Sequence, residues 1–162
     1  MEPKPVSASR SVLAHVAGVM DINSAGFVHG GTVLKLADEA AALAAMRHCG
    51  LRVVTAGLDR VAFVVPIERG ELITLSSSVN AVWRTSMEVG VRVTAERPGD
   101  DAGPRHTNSA YFTMVALDED GRPAPVVPLV CADAEERRRE REAQVRRSFR
   151  LAERDELLKG RS

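Results

Sequence analysis

The sequence predicts an α+β fold in which an antiparallel sheet of about five strands wraps one long helix. Residues 32–46 hold only three charged side chains, Lys35, Asp38 and Glu39, in a run otherwise rich in Ala and Leu. A helix so nearly apolar all round belongs inside a core, because a surface helix would show a wider polar face. Four segments after it carry strand composition with short breaks between them, and such strands pair antiparallel, since parallel pairing needs long crossovers. One apolar helix and one run of strands then bury each other in two layers.

A chain of 162 residues suits a single domain with an appendage. The domain is expected over residues 1–131, with 1–10 a mobile lead-in, and a charged helical tail over 132–162. Basic and acidic residues balance at 22 each, so no overall field attracts nucleic acid or a membrane surface. No apolar run approaches the roughly 20 residues that span a bilayer, and the first ten residues are polar and proline-containing, unlike a signal peptide. A cytoplasmic protein is expected, with Cys49 and Cys131 as free thiols.

In order, residues 11–20 are apolar enough for a first strand, and residues 21–26 collect Asp, Asn, Ser and Gly into a loop. The helix begins near Thr32, an acceptable N-cap type, and ends before Gly50 with Arg47 and His48 in its last turn. About 17 residues at about 1.5 Å each make a rod of roughly 25 Å, long enough to cross a sheet. Residues 52–65 and 71–83 read as strands, separated by a turn at 66–70. The alternation is cleanest over 87–96, with Met87, Val89, Val91, Val93 and Ala95 on one face. Glu88, Gly90, Arg92, Thr94 and Glu96 fall on the other, solvated or shared, face. Residues 106–117 form the last long strand, and Pro123, Pro125 and Pro128 keep the following stretch extended. The Arg/Glu mixture of the tail reads as a solvated helix with i,i+4 pairs such as Glu135 and Arg139. Its acids cancel most of the attraction that Arg137–Arg139 and Arg146–Arg147 would have for anions. Open edges on such a sheet suggest dimerisation edge to edge.

The helix start and two acids within the helix hold the chemistry. Free backbone N–H groups and a positive dipole end, approached past Gly30 and Gly31, have the geometry of an oxyanion hole, or simply of a tight turn. Asp38 shares a helix face with Leu34, Ala41, Ala42 and Ala45, where desolvation would favour a general base. The alternative is a salt bridge to Lys35, which Glu39 could also claim. Gly30 and Asp38 are eight residues apart, or roughly 12 Å along the helix. One substrate carbonyl cannot easily meet both in one chain, which points to a composite site across antiparallel helices of a dimer. No histidine pair has metal-ligand spacing and no nucleophile elbow is present, so no metal is expected.

The pattern Asn23-x-x-Gly26-x-x-His29-Gly30-Gly31-x-x-Leu34-x-x-x-Asp38-Glu39 continues with Val54-Thr55-Ala56, Asp59, Phe63-x-x-Pro66, Gly70-Glu71 and Arg84-Thr85-Ser86-Met87-Glu88-Val89. It resembles the hotdog-fold acyl-CoA thioesterases, the cytosolic acyl-CoA hydrolase type in particular, over residues 12–150. The resemblance implies a dimer with a continuous sheet, often a trimer of dimers and thus a hexamer, acting in fatty acid metabolism on acyl-CoA with no cofactor beyond the coenzyme A of the substrate. It implies that Gly30 N–H polarises the thioester carbonyl, Asn23 orients substrate and water, His29 supports the loop, and a partner chain's Asp38 activates water as base or attacks as nucleophile. Gly31, Arg84, Thr85 and Ser86 are candidate contacts to coenzyme A, the last three in what is otherwise an ordinary hairpin turn. A non-catalytic acyl-CoA-binding or sensing module is the first alternative. A hotdog dehydratase or hydratase, using His29 with Asp38, is the second, and a structural assembly protein the third.

Overall fold

In the computed structural model, which describes residues 1–160, the central helix α1 spans Gly30–Cys49. It starts two residues before Thr32 because His29, in extended conformation, is the N-cap, without a side-chain cap bond. It ends as expected: Gly50 turns left-handed at φ 70° and returns its N–H to Met46 O at 2.8 Å. Ala37, Ala40, Ala41, Ala44 and Ala45 are fully buried. These small side chains let the helix approach the sheet closely enough for Ser77 Oγ to donate to Ala40 O at 2.8 Å.

The five-stranded sheet runs β2-β4-β5-β6-β3 and is antiparallel throughout, with β2 Ser11–Val16, β3 Arg52–Leu58, β4 Leu72–Val82, β5 Ser86–Glu96 and β6 Arg105–Leu117. The alternating residues of β5 pack as predicted, Met87 through Ala95 all at 1% exposure or less. Ile73, Leu75, Val79, Ala110, Phe112, Met114 and Ala116 join them against α1 in one core.

Four expectations are corrected. The lead-in is built into the fold. Strand β1, Lys4–Pro5, pairs parallel with β7, Leu129–Val130. A 3₁₀ turn at Val6–Ser9 buries Val6 and Ser9, and Lys4 Nζ donates to His48 O at the end of α1. The first strand stops at Val16, four residues early, and gives way to a 3₁₀ turn at Val19–Asp21. Strand β3 stops at Leu58 rather than running to residue 65: the Asp59 N–H still donates to Tyr111 O at 3.0 Å while its side chain meets Arg150, and beyond it Phe63 folds over Gly30. The tail helix α2, Ala134–Lys159, forms the expected Glu135–Arg139 pair and is exposed all round from Leu151 on, but before that it is solvated on one face only. Its other face covers the outer side of the sheet, where Glu88, fully buried, accepts from Asn80 Nδ2 at 3.1 Å and from Arg146 Nη2 at 2.6 Å. Arg150 lies 3.5 Å from Glu88 and donates to both carboxylate oxygens of Asp59. The Arg146 guanidinium also stacks 3.8 Å from the Tyr111 ring centroid.

Candidate active site at the start of the central helix

The loop that delivers the chain to α1 is tied by its own side chain. Asn23 Oδ1 accepts from the N–H of Ala25 at 2.9 Å and of Phe27 at 3.2 Å, while Asn23 N–H donates to Phe27 O at 2.8 Å. Gly26 supplies the φ of 88° that closes this turn. The amide oxygen of Asn23 is thereby engaged, and its –NH₂ is the group left for a ligand. His29 N–H then donates to Asp21 O at 2.8 Å, which sets the direction of the helix. As the first helical residue, Gly30 has no intrahelical acceptor for its N–H. A Cβ at Gly30 would press on the Phe63 ring at 3.3 Å, so any larger residue there has to displace that ring.

These groups open on a cavity of about 280 Å³ lined by Asn23, Phe27, Val28, Gly30, Val33, Phe63, Val65, Pro66, Ile67 and Asn108. Its walls are mostly apolar, and its polar groups are two asparagine amides and the helix N-terminus. The far wall is braced. Val28 N–H donates to Ile67 O at 2.8 Å, and Arg105 Nη2 donates to Pro66 O at 2.9 Å while the same guanidinium grips Glu71 at 2.6 and 2.8 Å. Hydrogen bonding from Arg105 holds the buried Glu71 carboxyl below its ordinary range, against the desolvation that would raise it.

Asp38 does not line this cavity, in keeping with the roughly 12 Å that eight residues of helix put between it and Gly30. It is half-buried on the flank of α1 that faces β3, next to the exposed side of the helix on which Met46 is 39% exposed. The carboxylate is held by a neutral donor: Thr55 Oγ1 on β3 donates to Asp38 Oδ1. The expected alternative, a salt bridge of Asp38 or Glu39 to Lys35, is not formed among the described residues. A one-residue bulge at Ala56 displaces the ladder beside Thr55, a device that re-aims side chains next to active sites.

The other residues named from sequence scatter. The His29 side chain is exposed and makes no hydrogen bond among the described residues, and Gly31 is exposed beside open space. Arg84, Thr85 and Ser86 form the β4–β5 turn, at the far end of the sheet from Gly30 within one protomer. Ser86 pairs with Val115, whereas Asn108 of the cavity pairs with Val93, seven residues or roughly 23 Å along β5. The turn is also structural, since the carbonyls of Arg84 and Thr85 accept from Val126 and Ala116. Sequence reasoning missed Thr55, Phe63 and Asn108 as site residues. Of these Asn108 carried a signal, a polar residue in phase with Ala110, Phe112, Met114 and Ala116 on the core face of β6. Among the described residues no group of three or more His, Cys, Asp or Glu could hold a metal ion, and no helix is long and apolar enough to cross a membrane.

A family model described as Thioesterase superfamily matches residues 25–102. The cytosolic acyl coenzyme A thioester hydrolase of Rattus norvegicus is 41% identical over 139 residues, 85% of this chain and 36% of the rat protein, so the chain spans about a third of that relative. The crystal structure of an apo hexameric acyl-CoA thioesterase matches with a TM-score of 0.88 at 36% identity, over 94% of this chain and 97% of that one. The acyl-CoA hydrolase of Staphylococcus aureus, in complex with butyryl coenzyme A, coenzyme A and coenzyme A disulfide, matches with a TM-score of 0.88 at 31% identity, over 98% of this chain and 96% of that one. Alanine variants of the S. aureus enzyme at an asparagine, an aspartate and a threonine have also been crystallised.

Proposed function

This chain belongs to the acyl-CoA hydrolases of the thioesterase superfamily and has their hotdog fold, and on that premise we propose that it hydrolyses an acyl-CoA thioester at a site built by two subunits. Water adds to the thioester carbon, the carbon–sulfur bond breaks, and coenzyme A leaves as the thiol while the acyl group leaves as a carboxylic acid. Gly30 N–H polarises the carbonyl and takes up its developing charge, Asn23 –NH₂ orients the substrate, and Asp38 of the facing subunit acts on the carbonyl carbon as base toward water or as nucleophile. The reading invokes no metal or redox cofactor.

One observation carries the proposal: a half-buried acid in the middle of an apolar helix, whose carboxylate is aligned by the Thr55 hydroxyl and neutralised by no cation among the described residues. Such a carboxylate has a desolvation cost that binding alone would not maintain, which argues against a passive acyl-CoA-binding module. The three positions varied to alanine in the S. aureus enzyme support it too, being an Asn, an Asp and a Thr separated by 15 and 17 residues, the spacing of Asn23, Asp38 and Thr55. The exposed His29 offers no acid–base pair with Asp38, which disfavours a dehydratase or hydratase.

Assembly follows from uncovered apolar surface. Among the described residues strand β3 pairs only with β6, and its Val54 and Leu58 are 46% and 39% exposed, as are Leu43 and Met46 of α1 at 41% and 39%. A second copy pairing there antiparallel would continue the sheet and bring the partner's Asp38 toward Gly30. A hexamer built as a trimer of such dimers, with Arg84, Thr85 and Ser86 reaching coenzyme A phosphates bound to a neighbouring subunit, is the extended form of this reading. The naming of the rat relative as cytosolic and two unpaired thiols support a cytoplasmic enzyme.

The test is thiol release from a series of acyl-CoA chain lengths by the wild type and by Asp38→Ala and Asp38→Asn. Turnover by the wild type and none by either variant, with acyl-CoA binding and oligomer size retained, is the expected result. Hydrolysis by either variant at the wild-type rate would remove Asp38 from the mechanism, and silence of the wild type on every chain length would leave the binding module standing.

A further inference from the structure

We propose that Asn108 is a catalytic residue, its side-chain amide a second hydrogen-bond donor to the thioester carbonyl beside the N–H of Gly30; the inference rests on the thioesterase reading above. Asn108 is 6% exposed, and its Nδ2 has no hydrogen-bond partner among the described residues. Buried amide groups are almost always paired, so an orphan calls for a reason. The orphan belongs to the cavity that Gly30 and Asn23 also line.

Three features show that the residue is built into this position. Asn108 stands in phase with Ala110, Phe112, Met114 and Ala116, all buried against α1, so the strand delivers a polar side chain to a face otherwise apolar. The ladder between β5 and β6 slips at Thr107, which lies unpaired between Asn108 opposite Val93 and His106 opposite Thr94. Bulges of this kind re-aim a neighbouring side chain. Thr107 Oγ1 lies 3.1 Å from Asn108 Oδ1 and 3.2 Å from Val93 O, so its one proton is shared between an amide oxygen and a strand carbonyl, while no hydroxyl or carbonyl among the described residues meets the amide nitrogen.

The chemistry of the substrate identifies the acceptor. Val28, Val33 and Ile67 make the cavity apolar, and a simple acyl group brings one hydrogen-bond acceptor into such a space, its carbonyl oxygen. As water adds to the carbonyl carbon, the π pair moves onto that oxygen, and a donor fixed in a low-dielectric wall holds the charge better than it holds the ground-state carbonyl. In the tetrahedral adduct Asn108 Nδ2–H and Gly30 N–H would then share the oxyanion until the thiolate leaves.

The test compares the wild type with Asn108→Leu, which keeps the volume and removes the donor, and Asn108→Asp, which keeps the shape and replaces the donor by an acceptor. Each is assayed for steady-state hydrolysis, thermal unfolding, and binding of an S-alkyl coenzyme A thioether, which lacks the carbonyl. Loss of one oxyanion donor lowers kcat by about 10² to 10³, so Asn108→Leu is expected to fall by that factor, and Asn108→Asp by at least as much. The KM and the thioether Kd should stay within about threefold, as for a group acting only in the transition state. The melting temperature of Asn108→Leu should equal or exceed that of the wild type, because the substitution removes a buried unsatisfied donor. A kcat for Asn108→Leu within about threefold of wild type, beside an inactive Asp38→Ala control, would overturn this inference and leave the thioesterase reading intact. Activity retained by Asn108→Asp, or a melting temperature for Asn108→Leu that falls along with its activity, would also overturn it, the first by putting the amide oxygen on the substrate side and the second by making Asn108 a structural brace. A wild type without hydrolytic activity would overturn both.

Discussion

Two inactive variants should restore activity to each other. Asn23→Ala removes the amide at the mouth of the Gly30 cavity, and Asp38→Ala removes the carboxylate roughly 12 Å further along α1. If each site takes Asn23 and Gly30 from one subunit and Asp38 from the other, a mixed dimer carries both lesions in one site and none in the other. Random pairing of equal amounts makes half the dimers mixed, with one intact site in two, so about one quarter of the wild-type activity should return, as the two-fold symmetry of an isologous interface requires. The variants are best co-expressed with different tags, because subunits in a tight dimer exchange slowly, and doubly purified mixed dimers should then reach about one half. Mixing Asp38→Ala with Asp38→Asn is the control and should remain inactive. Melting curves for the Asn23 variant check that the loop it ties through Ala25 and Phe27 still forms. If mixed dimers stay as inactive as their parents while remaining folded and dimeric, the two groups act within one chain and the composite site is wrong.

Two further predictions concern stability. Glu88→Gln leaves Arg146 and Arg150, 22% and 28% exposed, without the fully buried carboxylate that joins them. Breaking a buried pair costs about 3 to 5 kcal/mol, and partial exposure of the arginines puts this case near the lower bound, so the melting temperature should drop by roughly 6 to 12 °C. Glu135→Gln, which breaks surface pairs with Arg138 and Arg139 on the same helix, should move it by no more than about 2 °C; equal shifts for the two variants would refute the distinction. Burial lowers the pKa of His48 from its ordinary 6.5, so the folded chain holds a neutral imidazole while the unfolded chain takes a proton near pH 6.5. Stability contributed in this way is fully present above pH 6.5 and is lost as pH falls through the lowered folded value. The urea midpoint of His48→Leu should therefore decline less steeply below pH 6.5 than that of the wild type, and parallel profiles would count against it.

What could be read from the sequence divides by the range of the interactions involved. The core face of β5 follows from strict alternation, and the body of α1 from its Ala and Leu run with Gly50 at the end, because both are set by local period and capping. The end of β3 could not be read this way. Val61, Phe63, Val64 and Val65 have strand composition, yet the chain leaves the sheet after Asp59, whose side chain pairs with Arg150, 91 residues on, and Phe63 covers Gly30 instead. The inner face of α2 was hidden for the same reason, since its partner Glu88 lies 58 residues before Arg146 and an Arg/Glu helix looks solvated until its partner is known.

At the site the same division has a chemical consequence. Asp38 drew attention because an acid contradicts an apolar helix, whereas Thr55, which aligns it, sits among Val53, Val54 and Ala56 on an ordinary strand and contradicts nothing. Asn108 does contradict its strand, but only once the residues from Ala110 to Ala116 are known to face α1. A polar residue out of keeping with its face is a candidate for a site when, unlike Ser77 or His48, nothing in the fold explains it. By that measure Asp38 on α1 and Asn108 on β6 are the two candidates, and the proposed composite site would hold the carbonyl between them.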